Sequence, residues 1–177
     1  MVAQSAEDND PMIYREHKWF YKEHRFVLPE SVNQQLNIFR QIDLDLALPE
    51  SGGLILGRRI TGTTDCITDE ITSPMDGDIQ KRALFFRGKW HHLRQIEYWR
   101  NTETTGQLLG TWHTHPETDP TPSDTDYRDW SMIVKKCSKF SQPLFFIIIG
   151  QSAFRVWVGI NRRFRPTLFV QCEFQED

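Results

Sequence analysis

Helical and strand periodicities alternate along this chain, and that alternation predicts an α/β fold in which a mixed sheet packs with helices. Three observations carry the prediction. Apolar residues Val32, Leu36, Phe39, Ile42 and Leu46 recur at helical spacing. Short apolar runs bounded by glycine, such as Gly52 to Gly57 and Leu144 to Gly150, read as buried strands. A second amphipathic stretch, Ser123 to Lys136, separates two strand-like segments.

The chain has 177 residues, a length that suits one domain. Residues 1–11 are acidic and polar and end at Pro11, so they read as a disordered tail, leaving 12–177 as the domain. Aromatic and charged residues mix from Met12 to Leu28, which suggests short extended segments. Pro29-Glu30-Ser31 reads as a helix start with Ser31 as N-cap, and the helix is expected to end before Pro49. The Gly52 strand turns at Thr61 to Thr64 and pairs with Cys66 to Thr72 as a hairpin. Ser73 to Asp78 is a loop, Ala83 to Phe86 a strand, and Trp90 to Arg100 a short helix or irregular segment. Gln107 to His115 reads as a strand, and the three prolines of Pro116 to Pro122 force a loop. Trp130, Ile133, Val134 and Cys137 mark the buried face of the next helix, which Pro143 terminates. Leu144 to Gly150 and Phe154 to Gly159 are strands joined by a tight turn, and Leu168 to Phe174 is the last strand.

Bulk properties exclude several function classes. A formal net charge of −3 gives no global field for nucleic acid or an anionic membrane. The longest purely apolar run, Leu144 to Ile149, is far short of the ~20 residues that span a bilayer. Cys66, Cys137 and Cys172 are widely spaced with no CxxC pair, so they read as reduced thiols of a cytoplasmic protein and not as metal ligands. The N-terminus lacks the basic and apolar regions of a secretory signal.

One constellation carries chemistry. His113 and His115 are two apart on a strand, so both rings share a face and converge on one ion. The loop after them turns into a helix that brings back the Asp126 carboxylate as a third ligand. Two histidines, a carboxylate and a water make a catalytic zinc site with one Zn²⁺. Such a site needs a base for the water's proton, and Glu50, beside paired glycines at a strand start, is the candidate. Ser123 offers a hydroxyl to the oxyanion. Seen alone, Ser123-x-x-Asp126 is also a helix capping box.

The joint pattern resembles the JAB/MPN/Mov34 family, whose metalloprotease members carry E…H-S/T-H-P-x6-S-x2-D. Glu50, His113, Thr114, His115, Pro116, Ser123 and Asp126 occupy those positions with the spacing kept. The resemblance spans about Val32 to Gly159. It implies a JAB/MPN-like (cytidine-deaminase-like) α/β fold with a curved mixed sheet flanked by helices. It also implies a zinc-dependent peptidase or isopeptidase acting at the C-terminus of ubiquitin or a ubiquitin-like modifier, with His113, His115 and Asp126 as ligands, Glu50 as acid/base and Ser123 as oxyanion support. Gly52-Gly53, Arg58-Arg59, Trp112 and the proline-rich loop resemble the JAB isopeptidases of bacterial CBASS antiphage operons. Those reverse the linkage that a fused E1–E2-like enzyme makes to the C-terminal tail of a cGAS-like nucleotidyltransferase. The family leaves two further readings open: a peptidase that processes a sulfur-carrier or modifier precursor, and a non-catalytic binding scaffold.

Other features are weighed against plain structural roles. Phe85, Phe86 and Trp90 are candidates for an aromatic wall that grips an extended tail by strand addition, against ordinary packing. His91 and His92 read as residues of that segment more than as ligands, and His17 and His24 as surface residues. Arg58, Arg59 and Arg87 read as a solvated face. Glu117 and Asp119 read as exposed loop residues, and Trp112 as packing behind the site.

Overall fold

A computed structural model describes residues 16–42, 48–82, 84–137, 142–162 and 165–175. The expected tail, residues 1–11, lies outside them. The elements are β1 (His17–Tyr21), β2 (His24–Leu28), α1 (Glu30–Asn37), β3 (Gly52–Arg59), β4 (Cys66–Ile71), β5 (Ile79–Lys81), β6 (Leu84–Phe86), α2 (Lys89–Asn101), β7 (Gln107–Thr114), α3 (Asp124–Cys137), β8 (Leu144–Ile149), β9 (Phe154–Ile160), β10 (Leu168–Gln171) and β11 (Glu173–Gln175). Nine strands form one sheet in the order β10-β9-β8-β7-β3-β4-β2-β1-β11, and β5-β6 form a separate pair. The sheet is mixed: β7–β8 and β2–β4 are parallel. Among the described residues, no helix is long and apolar enough to cross a membrane.

The two edge strands, β10 and β11, are separated in the chain only by Cys172, so the chain joins one edge of the sheet to the other and the sheet curls almost into a barrel. Leu168 to Phe174 is therefore two strands where the alternation suggested one. The chain bends at Cys172, whose amide donates to Val156 O at 2.8 Å.

Curling gives the sheet an inside and an outside. The inside holds Trp19, Phe26, Ile55, Trp112, Phe145, Ile147 and Val156, closed over by Val32 and Leu36 of α1. On the outside, Trp130 and Val134 of α3 cover Leu144, Phe146, Ile148 and Trp157, while Tyr98 of α2 covers Leu54 and Leu56. Successive side chains of β8 serve opposite clusters, which explains why LFFIII is apolar throughout.

Three expectations are corrected. The first helix ends at Asn37, well before Pro49: Phe39 still packs on Trp112 of the core from beyond the helix end, but Ile38 and Ile42 are 78% and 65% exposed. Its N-cap is Pro29, whose carbonyl accepts from Val32 N and Asn33 N, so Ser31 lies inside the first turn. His17 is buried, not on the surface: its ring packs edge-on to Trp19 and Phe174 and its Nε2 lies 3.2 Å from Asn33 Nδ2. The segment from Trp90 resolves into a regular helix, α2.

The glycine pair of β3 is required by close approach: a Cβ on Gly53 would lie 1.9 Å from Thr72 O. Gly53→Ala is therefore expected to lower unfolding free energy by at least ~2 kcal/mol, read by urea denaturation.

Candidate active site

β3 and β7 are antiparallel with Gly52 opposite His113. Beyond the last ladder pair, Thr114 N donates to Ser51 O at 2.9 Å and Ser51 N donates to Thr114 Oγ1 at 3.0 Å. The register thus continues past β3 and delivers Glu50 beside His115. Glu50 is only 5% exposed. Its amide donates to Lys81 O at 2.8 Å, and Gln80 Nε2 donates to its carbonyl at 3.1 Å, so β5 fixes its backbone from the other side.

β7 and β8 are parallel, and a parallel pair requires a crossover, here the loop 115–123 and α3. The loop is braced against the β8–β9 turn: Gln151 N donates to Glu117 O and Ser152 N to Thr118 O, while Arg155 grips Asp119 through two hydrogen bonds of 2.7 and 3.0 Å. Ser123 then caps α3 in a reciprocal box. Asp126 N donates to Ser123 Oγ at 3.2 Å, and Ser123 N donates to Asp126 Oδ2 at 2.6 Å. The Ser123 hydroxyl also donates to Asp126 Oδ2 at 2.6 Å. The cap aims the carboxylate back at the histidines.

The three groups converge. His113 Nε2 and His115 Nε2 are 3.1 Å apart, His113 Nε2 is 3.1 Å from Asp126 Oδ1, and His115 Nε2 is 3.4 Å from Asp126 Oδ2. Around a tetrahedral ion with bonds of ~2.0–2.1 Å, neighbouring ligand atoms stand about 3.3–3.4 Å apart. The nitrogen, nitrogen and oxygen donors fit such a cation in type and spacing. Glu50 Oε1 stands 3.9 Å from His115 Nε2, next to the group.

Burial and charge set the protonation pattern. Burial raises the Glu50 carboxyl to about 7, with His115 opposing and Asp126 and Glu117 adding to the rise. Burial also pushes Asp126 upward, but hydrogen bonds from His113, His115 and Ser123 outweigh it and hold the carboxyl far below its usual value. Burial lowers His113 despite Asp126. For His115 burial acts the same way, but Asp126, Glu50 and Glu117 together raise it.

A cleft of about 290 Å³ opens over these groups, walled by Leu84, Phe85, Phe86 and Arg87 on one side and by Ser123, Thr125, Asp126 and Asp129 on the other. Phe85 and Phe86 are thus brought to the site. Trp90 is not: it lies on the outer side of α2, 47% exposed, in a surface hollow with Met75, Leu93 and Arg94. Its position in the first turn of α2 turns it away from the hairpin. Arg87, read as solvated, reaches across the cleft to Asp129 at 2.5 Å. Arg59 is also turned inward, onto Pro143 O, whereas Arg58 is exposed and paired with Asp69. The Thr114–Ser51 clasp went unassigned in the sequence; a hydroxyl residue between the two histidines was its signal.

The sequence pattern described as "Prokaryotic homologs of the JAB domain" matches residues 33–163. The chain belongs to the JAB family. Among similar proteins, one from Vibrio cholerae named CD-NTase/cGAS isopeptidase is 32% identical over 71% of this chain and 76% of its own length. Another of that name from Escherichia coli is 31% identical over 75% of this chain and 80% of its own. A third, from Pseudomonas aeruginosa, is 34% identical over 59% of this chain and 65% of its own. The solution structure of a Desulfitobacterium hafniense protein has the same fold, with TM-score 0.52 and 19% identity over 83% of this chain and 87% of that one. Residues 33–163 take in every group of the site, so the JAB match and the convergent geometry fall on the same part of the chain.

Glu50 yields a pH prediction for the metal-free protein. Its folded value, about 7, lies above the ordinary 4.5. Its contribution is therefore fully present below the ordinary value and is lost as pH rises through 7. Relative to Glu50→Gln, the native chain is expected to lose on the order of 2–3 kcal/mol between about pH 4.5 and 7, read by urea unfolding across pH.

Proposed function

We propose that this JAB protein is a zinc-dependent isopeptidase. It cleaves a ubiquitin-like conjugate in which the modifier is the C-terminal tail of a cGAS-like nucleotidyltransferase, joined by an E1–E2-like enzyme in antiphage defence. The observation that carries the reading is the meeting of His113, His115 and Asp126 with a buried carboxylate, Glu50, in one cleft. The names borne by the relatives, CD-NTase/cGAS isopeptidase, support the substrate class.

His113, His115 and Asp126 would hold the ion. Bound there, zinc would polarise the scissile carbonyl and make a coordinated water more acidic. Glu50 takes the water's proton and returns it to the departing amine, a transfer its place beside His115 allows. Ser123 orients Asp126 through the cap, its one O–H donating to Oδ2. Because Ser123 lines the cleft, rotation of that hydroxyl away from Asp126 lets it donate instead to the oxygen that gains charge. β6 is an edge strand of a two-stranded sheet and lines the cleft, so an extended tail adds to it as a further strand, with Phe85 and Phe86 against its side chains.

The test uses a fusion in which the C-terminal tail of a cGAS-like nucleotidyltransferase precedes a reporter protein. The native chain is expected to bind one zinc and cut at the junction. Glu50→Ala keeps the zinc and loses at least ~100-fold in kcat. His113→Ala loses both zinc and cleavage, as does chelation of the native protein. A zinc-loaded Glu50→Ala that cuts at the native rate overturns the mechanism. Cleavage only of sulfur-carrier fusions, in a panel of modifier tails, overturns the substrate.

A further inference from the structure

We propose that Asp78, His91 and Thr72 form a positioning relay that fixes the Leu84–Phe86 wall over the cleft and so sets how tightly a substrate tail is held. The inference rests on the isopeptidase reading for its ligand and on geometry for its parts.

Asp78 stands just before β5, and its side chain is 1% exposed, that of His91 2%. The carboxylate takes three donors. Oδ2 accepts from Met75 N at 2.7 Å and from His91 Nε2 at 2.9 Å, and Oδ1 accepts from Gly88 N at 2.6 Å. Met75 precedes the β5–β6 hairpin and Gly88 follows it, so one side chain ties the base of the hairpin shut. Gly88 is the N-cap residue of α2 and has no side chain of its own to cap with; the Asp78 charge lies at this helix end, where the helix dipole favours it. The base is also closed sterically, since a Cβ on Gly88 would stand 2.9 Å from Gly77 O.

His91 carries this constraint to the main sheet. Its Nε2 donates to the carboxylate. In a neutral ring Nδ1 is then an acceptor, and the Thr72 hydroxyl 2.6 Å away donates to it. Thr72 Oγ1 in turn accepts from Leu54 N at 2.7 Å, and Thr72 O accepts from Trp112 Nε1 at 3.0 Å. Each atom has one role in a line from the β3 backbone through Thr72 and His91 to Asp78. Leu54 shares β3 with Gly52, and Trp112 precedes His113, so the hairpin base is referenced to the strands that place the reacting groups. The His91 ring also backs Phe85 edge-on, centroids 6.3 Å apart. Phe85 itself lies over Gly52, where a Cβ would stand 2.5 Å from its ring.

Asp126 is anchored outside the hairpin, through Ser123, and Glu50 is held through its neighbour Ser51, clasped to Thr114, as well as through Lys81 O of β5. Loss of His91 unpins Asp78, and with it Gly88 at the β6 end of the hairpin, from the main sheet, while β5 stays tied to Glu50 through Lys81 O and Gln80. It therefore affects binding more than turnover.

The experiment compares native, His91→Phe and His91→Gln chains, zinc-loaded and full length, on the nucleotidyltransferase-tail fusion. His91→Phe keeps the ring and removes both hydrogen bonds, whereas His91→Gln restores a donor to Asp78. KM is expected to rise about tenfold in His91→Phe and no more than about threefold in His91→Gln, with kcat and zinc content within about twofold of native in both. Amide exchange is expected to quicken at Leu84–Phe86 in His91→Phe, with β3 unchanged. Should His91→Phe not fold, Asp78→Asn is expected to give the same split. A folded variant with native KM and native exchange at Leu84–Phe86, or one that loses kcat at unchanged KM, overturns the relay. The exchange measurement needs no cleavage, so a native chain that cuts no fusion overturns the isopeptidase reading alone.

Discussion

The pairing of β3 with β7 is the constraint on which the site depends. Side chains alternate across a strand, so a slip of one residue would send each to the opposite face. With Gly52 opposite His113, both imidazoles face the outer side of the sheet and Glu50 falls next to them. The clasp between Ser51 and Thr114 holds that register past the end of the ladder, where strands ordinarily fray. Gly53 belongs to the same constraint, because its lack of a side chain lets the Thr72 carbonyl lie against β3. Thr72 thereby serves the sheet, Trp112 and the hairpin base at once.

Closure of the sheet brings in the third member of the cluster, Asp126. With the sheet curled, α3 cannot lie inside, so it packs on the outer face through Trp130 and Val134. A parallel β7–β8 pair obliges the chain to cross over that face, and the crossing places the N-terminus of α3 at the carboxyl end of β7. Ser123 and Asp126 arrive there as a helix cap. The ambiguity in the sequence between capping and chemistry therefore has a physical basis. The same contacts that cap the helix orient the carboxylate, and neither role displaces the other.

The strands and the meeting of His113, His115 and Asp126 are legible in the sequence because their signals are local. Spacing of His113 and His115 on a strand, the proline loop and the Ser123–Asp126 cap each depend on a few neighbouring residues. The parts that were not legible depend on distant ones. Nothing near Leu168 to Phe174 announces that half of it pairs with β9 and half with β1, because that is a property of the closed sheet. The apolar spacing runs past the end of the first helix because Ile42 keeps the period but has no core to face. The burial of His17 is likewise set by distant residues: a histidine reads as polar until Trp19, Phe174 and Asn33 enclose it. Closeness in sequence to Phe86 suggests that Trp90 shares its aromatic wall, yet the start of a helix between them rotates it to the other side.

The order in which fold and ion depend on each other follows from these contacts. In small metal domains the ligands are held by the ion itself, so binding and folding are one event. Here the carrier of each candidate ligand is secured by something else. His113 rides on a strand paired on both sides, His115 just past its end is held by its amide on Ile149 O, Asp126 sits on a capped helix, and the loop between them rests on the Arg155–Asp119 pair and the β8–β9 turn. A cation that binds only the folded chain stabilises it in proportion to its affinity and concentration. It is not what creates the arrangement. The arrangement still has a cost, since two imidazole nitrogens and two carboxyls are gathered in a buried space. The sheet bears that cost through its apolar interior and outer clusters, which is why the groups of the site sit at the end of the most fully buried strands and not on a free loop.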